Sequence, residues 1–486
     1  MNGDNMIVLA TLVAYKLLLV GVGVWASRLN KTESDFFIAG QGVGAWVSGL
    51  SYAASTSSAW VLLGFSGFVY ANGLSAIWMV PGIWGGYVAV WLFFGRKLRE
   101  ETAERGHVTL ADFITAKLSG RASAAIAALA ALFIIFCFIF YIAAQFGAAA
   151  AAFETQFGLG ITESVLIGAA VVLVYALLGG FWAISVTDML QGALMAVIAV
   201  ALPAAAFMAA GGIGGIADSL QASAPADYLD PTGGFALHIL IGFVLGVWGV
   251  GIGAMGQPQL LTRLMAVKDE ASRMRGFAIA ITWGVVVFTG MTVLALAGRA
   301  LVGGGSDGEA LFYQLAGELL PPILAGLVIA AVLSAVMSTV DSILLVASAA
   351  VAHDLRISKR FPGHEVLVSR IVMAGIAAIA VWMTLSLPST IFARVLFAWA
   401  ALGAAFGPVV VMRVLKLEPK AWAIGTAMCL GFGLTVVFNA LGQIPAEDLG
   451  GLFTVLGDWA RLPGDPFERV VPWLPAMVVL WIGRER

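Results

Sequence analysis

Long apolar stretches separated by short polar joints run through this chain almost from end to end. Thirteen of them are candidates to cross a ~30 Å hydrocarbon core as α-helices. They lie near residues 6–25, 43–69, 74–94, 122–152, 164–178, 182–209 and 236–261, then 276–301, 322–352, 366–387, 391–414, 422–441 and 470–482. The last is short and holds Pro472 and Pro475. The pattern predicts an all-α polytopic membrane protein of about 13 transmembrane helices, forming a single membrane domain over residues 1–486.

Composition agrees: 61% of the 486 residues are hydrophobic and only 11% are charged, where a soluble domain carries about a quarter. Charge placement sets the orientation. Of the 26 Lys and Arg residues, twenty-one fall in joints on one side if the N-terminus is outside. That side is then cytoplasmic, as positive charge prefers. The outside joints hold Arg299, Arg394, Arg461 and Arg469, and Lys16 falls within a span. The reading is N-terminus outside, C-terminus inside, in a bacterial-type plasma (inner) membrane. The first span lacks a basic leader and a small-residue cleavage site, so it is expected to be retained. Cys137 and Cys429 both lie in apolar runs and imply neither a disulfide framework nor a thiol metal site. No basic nucleic-acid patch is present, and a net charge of −2 identifies no partner beyond the bilayer.

Two spans look interrupted. The second carries Ser51, Ser55, Thr56, Ser57 and Ser58 where Leu and Val are usual. The seventh has glycine at 249, 251 and 253, then Gly256-Gln257-Pro258. Such sequences weaken helices and free backbone carbonyls, which membranes tolerate only beside protein or a water-filled cavity. Small residues also serve close helix–helix contact. The two breaks, however, stand five spans apart, as expected of paired five-helix repeats preceded by one extra helix. Binding sites of transporters lie at such breaks.

The ninth span adds chemistry. Residues 335, 338, 339 and 342 share one helical face, which presents the hydroxyls of Ser338, Thr339 and Ser342 with Asp341 on its edge. Hard cations such as Na⁺ take oxygen ligands. Buried Ser and Thr also bond back to their own helix. Asp188 and Asp341 are costly in a membrane and are retained for binding ions, carrying protons or pairing. With no Arg or Lys evident at matching depth, a bound cation is the expected partner.

At these residues the chain resembles the sodium/solute symporter family, most closely its sodium/proline symporters. The resemblance rests on Gly179-Gly180-Phe181 with Thr187-Asp188, Gly256-Gln257-Pro258, Ala335-Val336-Met337-Ser338-Thr339, and Ala404 to Val410. It implies a leucine-transporter-like five-plus-five inverted repeat: an extra first helix over 6–30, repeats over 41–209 and 235–414, and flanking helices over 420–486. It implies a main Na⁺ site at the carbonyls of Ala54, Ser57 and Ala335 and the hydroxyls of Ser338 and Thr339. A second Na⁺ site, carried by some relatives, corresponds to Asp188, Ser338, Asp341 and Ser342. The small-molecule solute is expected between the broken helices, against Ser55, Thr56, Ser58, Tyr141, Trp248, Ala254, Gln257 and Pro258; Gln145, one turn beyond Tyr141, joins them.

The chain also departs from the proline-type pattern. Gln41 stands where those members have arginine, Thr56 where they have aspartate, and Val250 and Ala254 where they have a pocket tryptophan and tyrosine. The expected activity is Na⁺-coupled symport of a small organic solute, best matched by proline or a related amino acid. Proton coupling through Asp188 or Asp341, another solute such as a small carboxylate, and a symporter-like sensor domain are the alternatives. The chain stops at Arg486 without a kinase, which weighs against a sensor. No nucleophile–base pair or metal cluster at helical spacing suggests an enzyme.

Overall fold

The computed structural model describes residues 3–27, 33–178, 180–361, 364–387 and 390–485. Gly179 of the Gly-Gly-Phe motif, and the basic residues Arg28, Lys31 and Arg486, lie outside the described residues. Its elements are helices, in chain order α1 (Gly3–Ser27), α2 (Ala45–Ala59), α3 (Ser66–Asn72), α4 (Met79–Val88), α5 (Gly120–Phe157), α6 (Ile161–Leu178), α7 (Phe181–Ala209) and α8 (Leu237–Gly253). There follow α9 (Pro258–Met265), α10 (Glu270–Val302), α11 (Pro322–Ala349), α12 (Glu365–Ser386), α13 (Ile391–Val414), α14 (Ala421–Gln443) and α15 (Trp473–Ile482). Shorter helical pieces connect them.

Among the described residues ten helical runs are long and apolar enough to cross a membrane. One of these, Ala45–Arg105, spans 61 residues and is interrupted twice, at Ser58 and at Gly73, both with positive φ. α6 is a shorter apolar helix, and α15 has ten residues.

Burial separates core from periphery. α13 is 94% buried and the α11 run 83% over their most apolar windows, against 22% for α1. Sequence hydropathy does not distinguish them, because lipid and protein interior are equally apolar. Around α11 stand α1, α2, α5 and α7. Glycine brings the broken helices close to their neighbours. A Cβ at Gly251 would run into the Gly82 carbonyl of α4, and one at Gly256 into Leu402 and Gly403 of α13.

The two interrupted helices are tied at one end by backbone. Val43 N–H donates to Ala266 O (3.2 Å), and Lys268 N–H donates to Val43 O (3.1 Å). Gln41 adds a side-chain bond, its Nε2 donating to Met265 O at 3.1 Å. This amide therefore meets the partly negative carbonyl end of α9, where a cation is also favourable.

Candidate functional site

Ser58 sets the geometry of the first break. Its φ of 47° and ψ of −170° belong to a region that glycine alone adopts readily. The α-helical ladder cannot continue through it. Trp60 N–H turns back to Ser57 O and to Ser58 Oγ at 3.2 Å, while Ala59 N–H donates to Gln145 Oε1 on α5 at 3.2 Å. A π-helical segment, Trp60–Phe65, then leads into α3.

The hydroxyl face of α11 meets this break. Ser338 Oγ lies 3.5 Å from Ala54 O and 3.1 Å from Ala335 O. Three expected oxygen ligands thus converge across two helices. Thr339 follows directly, fully buried, and among the described residues its hydroxyl has no hydrogen-bond partner. Ser57, one turn beyond Ala54, also has an unpartnered buried hydroxyl. Buried polar atoms are normally satisfied, so the unpartnered hydroxyls of Ser57 and Thr339, close in sequence to this convergence, are groups that could hold a hard cation.

The expected solute-facing residues divide. Thr56 Oγ1 bonds back to Tyr52 O at 2.6 Å, leaving this position neutral and turned to its own helix. Tyr141 is buried, and its hydroxyl has no hydrogen-bond partner among the described residues. Gln145 Nε2 is buried without a partner among the described residues. At the second break, α8 ends at Gly253, a 3₁₀ turn spans Ala254–Gly256, and Pro258 opens α9 at a position where its missing N–H costs nothing. Gln257 donates to Trp399 O (3.0 Å) and Gly253 O (3.3 Å), holding the turn against α13. Trp248 is not brought to these groups. It is 37% exposed and packs on α4, its indole donating to Trp78 O at 2.8 Å. Val250, two residues on, is buried instead.

An aromatic layer caps the break in α2. Trp60 contacts Phe288 and Phe392, Phe65 contacts Phe288, and Phe68 stacks on Phe392 at 4.9 Å. Beyond the layer is a cavity of about 440 Å³ lined by Tyr70, Arg299, Glu309 and Thr390 among others.

The acidic positions require a correction. Asp188 has a basic partner that the sequence did not reveal: Arg263 Nη2 of α9 donates to Asp188 Oδ2 at 2.8 Å with both side chains buried, while Asp188 Oδ1 has no partner among the described residues. The same guanidinium donates to Ser51 Oγ (2.9 Å), to Ser55 and Ser342 hydroxyls, and to Gln259 O (2.8 Å). Ser55 also lies 3.1 Å from Ser342 and donates to Ser338 O. Arg263 therefore sits among Asp188, Ser342 and the middle turns of α2, not in a solvated joint. Asp341 is separate: it is fully buried, and neither carboxylate oxygen has a hydrogen-bond partner among the described residues.

A sodium:solute symporter family model matches residues 36–418, most of the chain. The chain belongs to the sodium:solute symporter family. It is 30% identical over 444 residues to an osmoregulated proline transporter of Bacillus subtilis, covering 90% of this chain and 89% of that one. It is likewise 30% identical to the sodium/proline symporter of Escherichia coli over 466 residues, covering 92% and 91%. In fold it is similar to a Na⁺-coupled sialic acid symporter in a substrate-bound outward-open state, with a TM-score of 0.73 and 18% identity over 99% of both chains.

Family membership makes the residues missed in sequence instructive. Arg263 lies at the far side of a predicted span edge, where basic residues usually reach water. Its only local signal is that α9 continues for two turns past the break, which carries residue 263 back among the other helices. Gln191, one turn after Asp188, is fully buried, and among the described residues both its amide atoms are unpartnered. An i, i+3 spacing from Asp188 could have marked it in this symporter.

Proposed function

We propose that the protein is a Na⁺-coupled symporter of a small organic solute, proline or a related amino acid, working by alternating access in a bacterial-type inner membrane. The carrying observation is the convergence of Ala54 O, Ala335 O and Ser338 Oγ at the break in α2, with the next residue, Thr339, keeping a buried hydroxyl that has no partner among the described residues. Those atoms, with Ser57 O, would hold the driving sodium. Its binding would fix α2 against α11 and complete a solute pocket between the two breaks. Coupling of this kind is reciprocal, so bound solute raises sodium affinity by the same factor.

We assign the solute to the space framed by Ser55, Thr56, Ser58, Tyr141, Gln145, Ala254, Gln257 and Pro258. Relatives named for proline support that solute class. Val250 and Ala254 give this chain a smaller-walled pocket than proline-type members have, so a bulkier amino acid would also fit. The thirteen-span topology, N-terminus outside, and the inverted repeats over 41–209 and 235–414 are part of the same reading. They are supported by the paired breaks in α2 and between α8 and α9. In that orientation the 440 Å³ cavity is the outer vestibule and the aromatic layer closes it from the pocket.

The test is uptake of labelled proline into proteoliposomes under imposed Na⁺, K⁺ and H⁺ gradients. Accumulation driven by Na⁺ alone supports the reading; accumulation driven equally well by H⁺ without Na⁺ rejects sodium coupling. Absence of proline uptake, with sodium-dependent thermal stabilisation by another amino acid, redirects the solute and leaves the mechanism standing.

A further inference from the structure

We propose that Arg394 anchors the phosphate of an anionic phospholipid in a cavity between α5, α12, α13 and α14, with the acyl chains lying along an aromatic strip beside it. The inference goes beyond the transport reading and needs only that the bundle lies in a bilayer.

Five arginines are buried among the described residues, and four of them have a carboxylate at hand. Arg263 meets Asp188, Arg273 meets Glu270, Arg413 meets Glu101 and Arg469 meets Asp465. Arg394, 7% exposed, has neither an ion pair nor a hydrogen bond to its guanidinium among the described residues. Arginine is almost never buried unless paired, and a buried charge without a counter-charge is strongly unfavourable. Glu309 reaches the start of the same helix, but its carboxylate accepts from the N–H groups of Ile391 (3.2 Å) and Phe392 (3.0 Å).

The guanidinium has room for a counter-ion. Arg394 lines a cavity of about 170 Å³ together with Phe140, Met383, Phe397, Asn439 and Gln443. Arg394 stands in the first turn of α13, and Asn439 and Gln443 in the last turns of α14. The polar part of the cavity is therefore at an end of the bundle, level with lipid headgroups, where basic pockets between helices bind phosphate. A guanidinium takes two phosphate oxygens at once. Asn439 donates its Nδ2 to Glu468 at 3.1 Å, which leaves its carbonyl to accept from a headgroup hydroxyl. Toward the membrane centre the surface turns aromatic. Phe140 contacts Phe397 (5.4 Å) and Phe136 (5.0 Å), and Phe136 contacts Phe432 (5.6 Å). Phe432 lies seven residues before Asn439, about 10 Å of helix rise, which an acyl chain can follow. Phe136 and the neighbouring Leu132 are exposed, so this strip opens to lipid, and that favours an occupant with chains over a soluble anion.

The measurement is native mass spectrometry of the purified, delipidated full-length protein. It is titrated with phosphatidylglycerol, with phosphatidylethanolamine of the same chains, and with glycerol 3-phosphate. Expected is one tightly held phosphatidylglycerol per chain. The ethanolamine lipid, whose ammonium offsets its phosphate, and the chainless phosphate should each bind about tenfold more weakly, and Arg394→Met should weaken phosphatidylglycerol about tenfold. Equal binding of the two lipids overturns the proposal, and that comparison needs no variant to fold. Glycerol 3-phosphate binding as tightly as phosphatidylglycerol also overturns it, since the site is then one for soluble anions. So does a folded Arg394→Met protein that binds phosphatidylglycerol like wild type. In neutral detergent without lipid, Arg394→Met should melt no lower than wild type; a clear fall would reveal a protein partner for the guanidinium and overturn the assignment.

Discussion

Thr339 and Arg263 show how little of a residue's role is visible from its type alone. Thr339 is an ordinary helix residue by type, yet on α11 its buried hydroxyl has no hydrogen-bond partner among the described residues. Thr339→Ala should raise the sodium half-saturation of uptake about tenfold, the order of a lost polar interaction of ~1.5 kcal/mol. Cys429→Ala, at an exposed position on α14, should leave it unchanged; equal shifts would remove Thr339 from the sodium site. For Arg263, Met substitution leaves Asp188 buried without its partner. A loss of about 3–5 kcal/mol is expected, read as a fall in melting temperature in detergent. Adding Asp188→Leu should recover part of that loss, and strict additivity of the two changes would mean that the pair is not coupled.

At the scale of the element, the break in α2 depends on one backbone conformation. Ser58 holds φ 47° without glycine's freedom, at a cost of about 1–3 kcal/mol. Ser58→Gly should therefore raise the melting temperature, and Ser58→Val, β-branched at a positive φ, should lower it. The opposite order would show that α2 runs through as a regular helix. The run of small hydroxyl residues marked this segment in sequence, because Leu and Val are the default for a span. Residue 58 as the pivot was not legible: the strain is imposed by what surrounds it, including Gln145 on α5 capturing Ala59 N–H. The second break was easier to read, since Gly256-Gln257-Pro258 carries its own conformational instruction.

Across the whole molecule, two predictions follow from charge. One sodium moving down ~100 mV and a tenfold gradient releases about 2.3 and about 1.4 kcal/mol, enough for roughly several-hundred-fold accumulation of a neutral solute. Steady-state accumulation far above that ratio at these gradients would require a second ion. The second prediction concerns Glu468, in the joint before α15. Burial pushes its carboxyl up to about 7, although Asn439 donates to it at 3.1 Å and Arg469 lies beside it. The folded state thus holds this proton more tightly than the unfolded one. Its contribution is fully present below the ordinary carboxyl range near 4.5 and is lost as pH rises through about 7. Melting temperature should fall over that window, and Glu468→Gln should flatten the fall.

Hydropathy placed the apolar helices along the chain, because crossing a bilayer is a local requirement on some twenty consecutive residues. Helical periodicity likewise placed Ser338, Thr339 and Ser342 on one face, and glycine with proline located the second break. Charge pairing was beyond such reasoning. Asp188 meets Arg263 75 positions away and Lys16 reaches Met337 across 321, and no local pattern encodes either contact. In an apolar bundle a charge at a span edge looks the same whether it snorkels to water or turns inward. The choice is made by where a broken helix resumes and what it then faces, and only the tertiary arrangement of the helices decides that.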